Sequence, residues 1–335
     1  MIFMSKRILA AACAAATALA LSACSSAPSS EGNASKDGTL TVMASFYPLQ
    51  YLAEKIGGEH VTVTSLTPAG AEPHDLELSP KTVDALASAD AVVYLAGFQS
   101  AVDEAIEQQA PKTVIDVSPA AELVEANSSA NHPSEDEDED EAQSGESATE
   151  EHADHDHEGH HHDMSADPHF WLDPVRMASA ATLVGDKLAE ADPANADTYK
   201  ANAKALNEEL RALGDDLVAK TATCQIKTFV TAHTAFGYLA DRTGLTQVGI
   251  SGLDPDSSPS PARLAEIGQI AKDQGVTTIF TEALIDPKVA QTLADDLGIS
   301  TAVLDPIESQ TDSSKDYAAV MKDNINALTT ANNCQ

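Results

Sequence analysis

Two β-branched runs, 39–45 (TLTVMAS) and 61–66 (VTVTSL), bracket a segment at 48–57 whose apolar positions recur at helical spacing, closed by Gly57-Gly58. That is a strand, helix, strand unit. It continues through a helix at 79–89, a strand at 91–97 (AVVYLAG), a helix at 100–109 and a strand at 113–118. A helical pattern at 174–190 stops at Asp192-Pro193, and a second runs over 193–221 without a further proline, Gly214 being its weak point. At about 1.5 Å per residue this helix is roughly 40 Å long, enough to connect separate bodies. Beyond it, strands at 226–232, 246–250, 276–281 and 300–304 alternate with helices at 234–243, 260–274, 287–297 and 314–330. The pattern predicts an α/β protein of two similar lobes, each a parallel sheet flanked by helices, bridged by one long helix. The expected divisions are an N-terminal lobe at 39–173, helices at 174–221 and a C-terminal lobe at 222–335.

Residues 1–24 have a different pattern: Lys6 and Arg7, an Ala/Leu-rich run, then small residues, the layout of a secretory signal. The junction Leu21-Ser22-Ala23-Cys24 resembles a bacterial lipobox, so Cys24 is the expected lipidation site, ordinary cleavage after a small residue being the alternative. Residues 25–38 read as a flexible tether. The body is then expected outside the cytoplasm, lipid-anchored to the outer face of the cell membrane, since no later stretch of about 18 apolar residues could span a bilayer. With Cys13 in the signal and Cys24 lipidated, Cys224 and Cys334 remain in an oxidising compartment, and a disulfide between them is expected.

Charge narrows the partner. Across 335 residues, 19 Lys and Arg face 53 Asp and Glu, a formal charge of −34 that repels nucleic acid and favours a cation. Residues 132–163 carry fourteen acids, seven of them unbroken from Glu135 to Glu141, with no Lys or Arg. Seven of the eleven histidines also lie there: His132, His152, His155, His157, His160, His161 and His162. Such a stretch cannot bury a core and is expected to be disordered. A solvated acidic loop would explain the charge, but the histidines make auxiliary capture of borderline divalent cations the better reading.

Four histidines remain. His60 follows Gly57-Gly58-Glu59 at an expected surface turn. His74 lies beyond strand 61–66, His169 in DPHFWLDP before a helix, and His233 directly after strand 226–232. Ligands of open α/β sheets bind outside the carboxyl ends of strands. Asp305, ending strand 300–304, offers a carboxylate in the equivalent place, so three imidazoles and one acid from both lobes could close a four-coordinate shell around Zn²⁺. Taken singly, each of these histidines is more often structural than a ligand.

The stretches MASFYPLQYLAEKIGGEHVTVTSLTPAGAEPHDLELSP (43–80), ADPHFWLDP (166–174), FVTAHTAFGYLADRTGL (229–245) and TAVLDP (301–306) resemble the zinc-uptake solute-binding lipoproteins of bacterial ABC transporters, in the branch with a His-rich loop. The resemblance spans essentially the whole mature chain. It implies two lobes on a rigid long helix, Zn²⁺ as transported ligand in the cleft, little closure on binding, and an ABC permease with its ATPase as partners of a monomer. Carried over by motif, His74, His169 and His233 match the family's histidine ligands and Asp305 its C-lobe carboxylate. Pro73 stands where some members carry an acid beside the first histidine, leaving water, Glu282 and Glu72 as alternatives for the fourth place. Manganese relatives have an acid where His233 stands, and a His-rich shell suits Zn²⁺ better than Mn²⁺. Manganese or iron carriage and a metal-dependent surface adhesin are the alternative functions. A zinc hydrolase is disfavoured, because there is no HExxH and no glutamate at helical spacing from a ligand to act as general base.

Overall fold

The computed structural model describes residues 39–125 and 166–335. The signal, the tether with Cys24, and the His-rich stretch 132–163 lie outside the described residues. In the N-terminal lobe the order is β1 (Leu40–Ala44), α1 (Tyr47–Gly57), β2 (Val61–Ser65), α2 (Pro80–Leu86), β3 (Ala91–Tyr94), α3 (Ser100–Gln109), β4 (Val114–Asp116) and α4 (Ser118–Ala121). The strands form a parallel sheet in the order β2-β1-β3-β4. Two helices follow, α5 (Pro174–Ala191) and α6 (Ala196–Thr221). The C-terminal lobe then runs β5 (Thr228–Thr231), α7 (Gly237–Thr243), β6 (Thr246–Gly249), α8 (Pro261–Asp273), β7 (Thr278–Thr281), α9 (Lys288–Leu297), β8 (Ser300–Val303) and α10 (Tyr317–Ala331). Its parallel order, β6-β5-β7-β8, repeats that of the first sheet.

Local chemistry explains where the helices begin. Ser79, Asp173 and Ser260 each precede a proline and accept a backbone N–H from the first turn of α2, α5 and α8 respectively. The long helix begins at Ala196, later than the expected 193. The Asp192 carboxylate takes the Asn195 amide at 2.7 Å and the Tyr199 hydroxyl at 2.9 Å, closing a turn first. At Gly185 the two long helices touch: a Cβ there would lie 2.3 Å from that of Ala203, so only glycine permits the approach.

α6 packs on α1 of the first lobe and on α7 and α10 of the second, while α5 lies against α1, α4 and β3. One apolar cluster therefore passes continuously from Val42 and Val93 through Trp171 and Leu210 to Phe229 and Ile325. Smaller clusters cover the opposite faces of the two sheets. Trp171 is fully buried between the lobes, its indole N–H donating to the Pro306 carbonyl at 2.8 Å, and the Tyr317 hydroxyl donates to the Trp171 carbonyl. These bonds tie the α5 entrance to the β8–α10 connection.

Candidate metal centre

His74 stands on the loop between β2 and α2, His169 just before the turn that enters α5, and His233 just past β5. They face one another, with ring centroids 5.3 Å apart for His74–His169 and His169–His233 and 6.1 Å for His74–His233. The fourth group is Glu308, in the connection from β8 to α10. One ligand atom from each of these four residues lies within 4.8 Å of all the others. Glu308 Oε1 is 3.4 Å from His74 Nε2, 3.2 Å from His169 Nε2 and 3.4 Å from His233 Nε2, and the last two nitrogens are 3.4 Å apart. Four edges of the figure are thus nearly equal. His169 and His233 are fully buried and Glu308 is 1% exposed. Glu308 Oε1 is the oxygen that faces the three imidazoles, while its Oε2 is buried without a hydrogen-bond partner.

Two carboxylates behind the cluster set ring orientation. Asp167 Oδ1 accepts both the backbone N–H of His169, at 2.9 Å, and its Nδ1, at 2.8 Å. Glu282, immediately after β7, holds His233 in the same way, at 3.0 Å from N–H and 2.6 Å from Nδ1. β5 and β7 are the adjacent central strands at which the chain's order reverses, where open α/β sheets place ligands. With Nδ1 committed to a carboxylate, Nε2 is the nitrogen presented to the cluster.

The protonation states follow. Burial pulls the His169 and His233 pKa values down, but Asp167 and Glu282, with Glu308, more than reverse this; His169 ends raised and His233 well above its ordinary value. Burial would raise Glu308, yet hydrogen bonds from three imidazoles hold it well below the usual carboxylate range. His74 is lowered, chiefly by burial. Glu72 is pushed up to about 8, by burial first and by Glu308 next.

Asp305, expected as the fourth ligand, is absent from the cluster. Its carboxylate turns back to accept the Ile307 N–H at 2.7 Å, and its backbone is clasped by the Asn324 amide. That turn carries Ile307 into the left-handed region, φ 57°, and delivers Glu308 instead. Glu282, a proposed alternative, lies behind His233. Glu72, the other, accepts the His74 backbone N–H at 3.0 Å and approaches its Nε2 only to 4.0 Å. Asp173, one of the acids flanking the ligands in sequence, caps α5 and pairs with Arg242 at 2.7 Å. The histidines of 132–163 fall outside the described residues, whose ends meet in a bridge between Glu125 and Ala166. The signal for Glu308 in sequence was slight, a single acid beyond Asp305-Pro306.

The family model described as zinc-uptake complex component A, periplasmic, matches residues 42–331. The chain belongs to this family. It is 35% identical over 298 residues to the zinc-binding protein AdcA of Streptococcus pyogenes serotype M3, covering 87% of this chain but 56% of AdcA, so it spans about half the length of that relative. To the high-affinity zinc uptake system protein ZnuA of Bacillus subtilis it is 33% identical, over 94% of each. Among solved structures, the laminin-binding adhesin Lmb of Streptococcus agalactiae superposes with a TM-score of 0.72 at 30% identity, over 88% of this chain and 99% of that one. This family member therefore has two parallel-sheet lobes with a His/Glu cluster at their junction. Among its described residues no helix is long and apolar enough to cross a membrane.

Proposed function

We propose that this protein is the extracytoplasmic solute-binding component of an ABC transporter, taking up Zn²⁺ between its lobes on His74, His169, His233 and Glu308 and handing it to a membrane permease with its ATPase. The observation that carries the reading is the spacing of the four donors. Zinc bonds of about 2.0–2.1 Å in a regular tetrahedron require ligand atoms ~3.3–3.4 Å apart, and four of the separations here are 3.2–3.4 Å. Three imidazoles and one carboxylate favour Zn²⁺ over the harder Mn²⁺. The chemistry is ligation rather than turnover. The protein acts as a monomer anchored through a lipid on Cys24, and His152, His155, His157, His160, His161 and His162 gather metal near the membrane without forming the transported site.

Calorimetric titration of residues 25–335 lacking 132–163 tests this. One tight Zn²⁺ equivalent, much weaker Mn²⁺ and loss of the tight site in His233→Ala are the expected results. Equal or tighter Mn²⁺ binding would overturn the zinc assignment. The likeness to the laminin-binding adhesin Lmb supports a second role in surface attachment, tested by binding of the zinc-loaded chain to immobilised laminin.

A further inference from the structure

Two glutamines, one in each lobe, are 2% exposed, and each leaves its side-chain carbonyl oxygen buried without a partner. Their amide nitrogens have the same pair of acceptors. Gln99 Nε2 donates to Thr67 Oγ1 at 3.0 Å and to the Pro73 carbonyl at 3.1 Å. Gln247 Nε2 donates to Thr231 Oγ1 at 2.8 Å and to the His233 carbonyl at 3.0 Å. Each threonine spends its one O–H on a carbonyl, Thr67 on Ser45 and Thr231 on His233, both at 2.7 Å. The threonine oxygen can therefore only accept from the glutamine, which fixes the amide with its NH₂ inward and strands Oε1. An apolar side chain of similar volume would avoid burying an unpaired carbonyl. Both lobes nonetheless keep the amide, one N–H of which reaches a backbone carbonyl at a candidate ligand: that of Pro73, just before His74, or that of His233 itself.

We propose that Gln99 and Gln247 are positioning residues of the metal centre, each orienting one ligand histidine through its backbone, an inference that rests on the zinc-binding reading above. The Pro73 carbonyl and the His74 N–H belong to one planar peptide unit. Gln99 holds its oxygen and Glu72 its nitrogen, so the plane that aims the His74 side chain is gripped at both ends. Glu282 holds the N–H and Nδ1 of His233 while Gln247 and Thr231 hold its carbonyl. His74 and His233 come from opposite lobes, so the two clamps set the angle at which the halves of the site meet.

The test compares the full mature chain with Gln99→Met and Gln247→Met, which lose both donors, and the isosteric Gln99→Glu and Gln247→Glu, which keep the shape but lose one donor as the neutral acid and both as the carboxylate. Thr221→Val, which removes a buried hydroxyl at the end of α6 that donates to the Leu217 carbonyl, serves as a control for general loss of stability. Zinc release to a chelator, the visible spectrum of the Co²⁺-loaded chain and melting of the metal-free chain are measured for each. Positioning predicts release at least about tenfold faster and a shifted Co²⁺ band in the glutamine variants, with neither change in the control. Variants that melt lower but keep the wild-type release rate and Co²⁺ spectrum would overturn the proposal. Should the Met variants fail to fold, the Glu variants decide on the same readouts. If the unaltered chain shows no single-site Zn²⁺ or Co²⁺ response, the zinc-binding reading itself fails, an outcome separate from a normal wild type with silent glutamines.

Discussion

Glu282 grips His233 at two points, with one carboxylate oxygen 3.0 Å from the backbone N–H and the other 2.6 Å from ring Nδ1. Backbone and imidazole are thus aligned by a single side chain from the neighbouring strand. Glu282→Gln keeps the size but can present only one good acceptor. Zinc affinity is expected to fall about 10–100-fold, as for other carboxylates behind a ligand histidine, with the number of sites unchanged by calorimetry.

Glu308 and Asp305 sit on one turn but differ in role. Glu308→Gln removes the carboxylate that the three imidazoles share, and should weaken zinc by at least about 100-fold. Asp305→Asn disturbs only the turn, and a loss within about tenfold is expected. Competition against a chromophoric chelator ranks the two; a larger loss from Asp305→Asn would reverse the assignment.

Acidification should act oppositely on the metal-free and metal-bound forms. In the metal-free chain His169 and His233 are raised, so their contribution to stability is complete below the unfolded value of about 6.5 and fades as pH rises through their folded values. Glu308 is depressed, so its contribution is present above about 4.5 and lost as pH falls through its folded value. The contributions of His169, His233 and Glu308 therefore overlap between about pH 4.5 and 6.5, where the lowered His74 and the raised Glu72 oppose them. Zinc must displace the same protons, so its affinity should rise from about pH 5.5 to about pH 8. Melting with and without Zn²⁺ across that range measures both, and a zinc-induced shift independent of pH would count against imidazole ligation.

Cys224 and Cys334 are joined, closing a loop of 110 residues between the end of α6 and the chain beyond α10. Replacing both by Ser should cost about 5 kcal/mol by the chain-entropy account, read as a lower denaturant midpoint. The bond lies away from the cluster, so zinc affinity at low denaturant should be unchanged.

Gly185→Ala places a methyl 2.3 Å from Ala203 Cβ, where the two long helices meet. Overpacking of about 1–3 kcal/mol is expected in the melting of the metal-free chain. A neutral result would mean that α5 and α6 separate more easily than their packing implies.

Alternation of apolar runs was enough to place both lobes and nearly every strand to within a few residues, because a parallel strand covered on both faces must be apolar and its crossover helix must be amphipathic. α4, four residues long, escaped because one helical turn has no period to detect. Three candidate ligands were legible from another local rule, that residues just beyond strand ends face the ligand side of an α/β sheet. Glu308 obeys no such rule. It reaches the cluster because the Asp305 carboxylate folds onto the Ile307 N–H, Ile307 takes a left-handed conformation, and Trp171, 135 residues earlier in the chain, holds the Pro306 carbonyl.

By itself, then, the sequence determined the layers, the repeated lobe, the long bridging helix and the histidines, all of which rest on side-chain type at fixed spacing. Which acid joins those histidines was decided only when the two lobes came together, and Glu282, Gln99 and Gln247 came to stand behind them only through the folding of each lobe. Asp305, Glu308 and Glu282 are alike in chemistry, and only their long-range contacts distinguish them: with Asn324, with the three imidazoles, and with His233, 49 residues away.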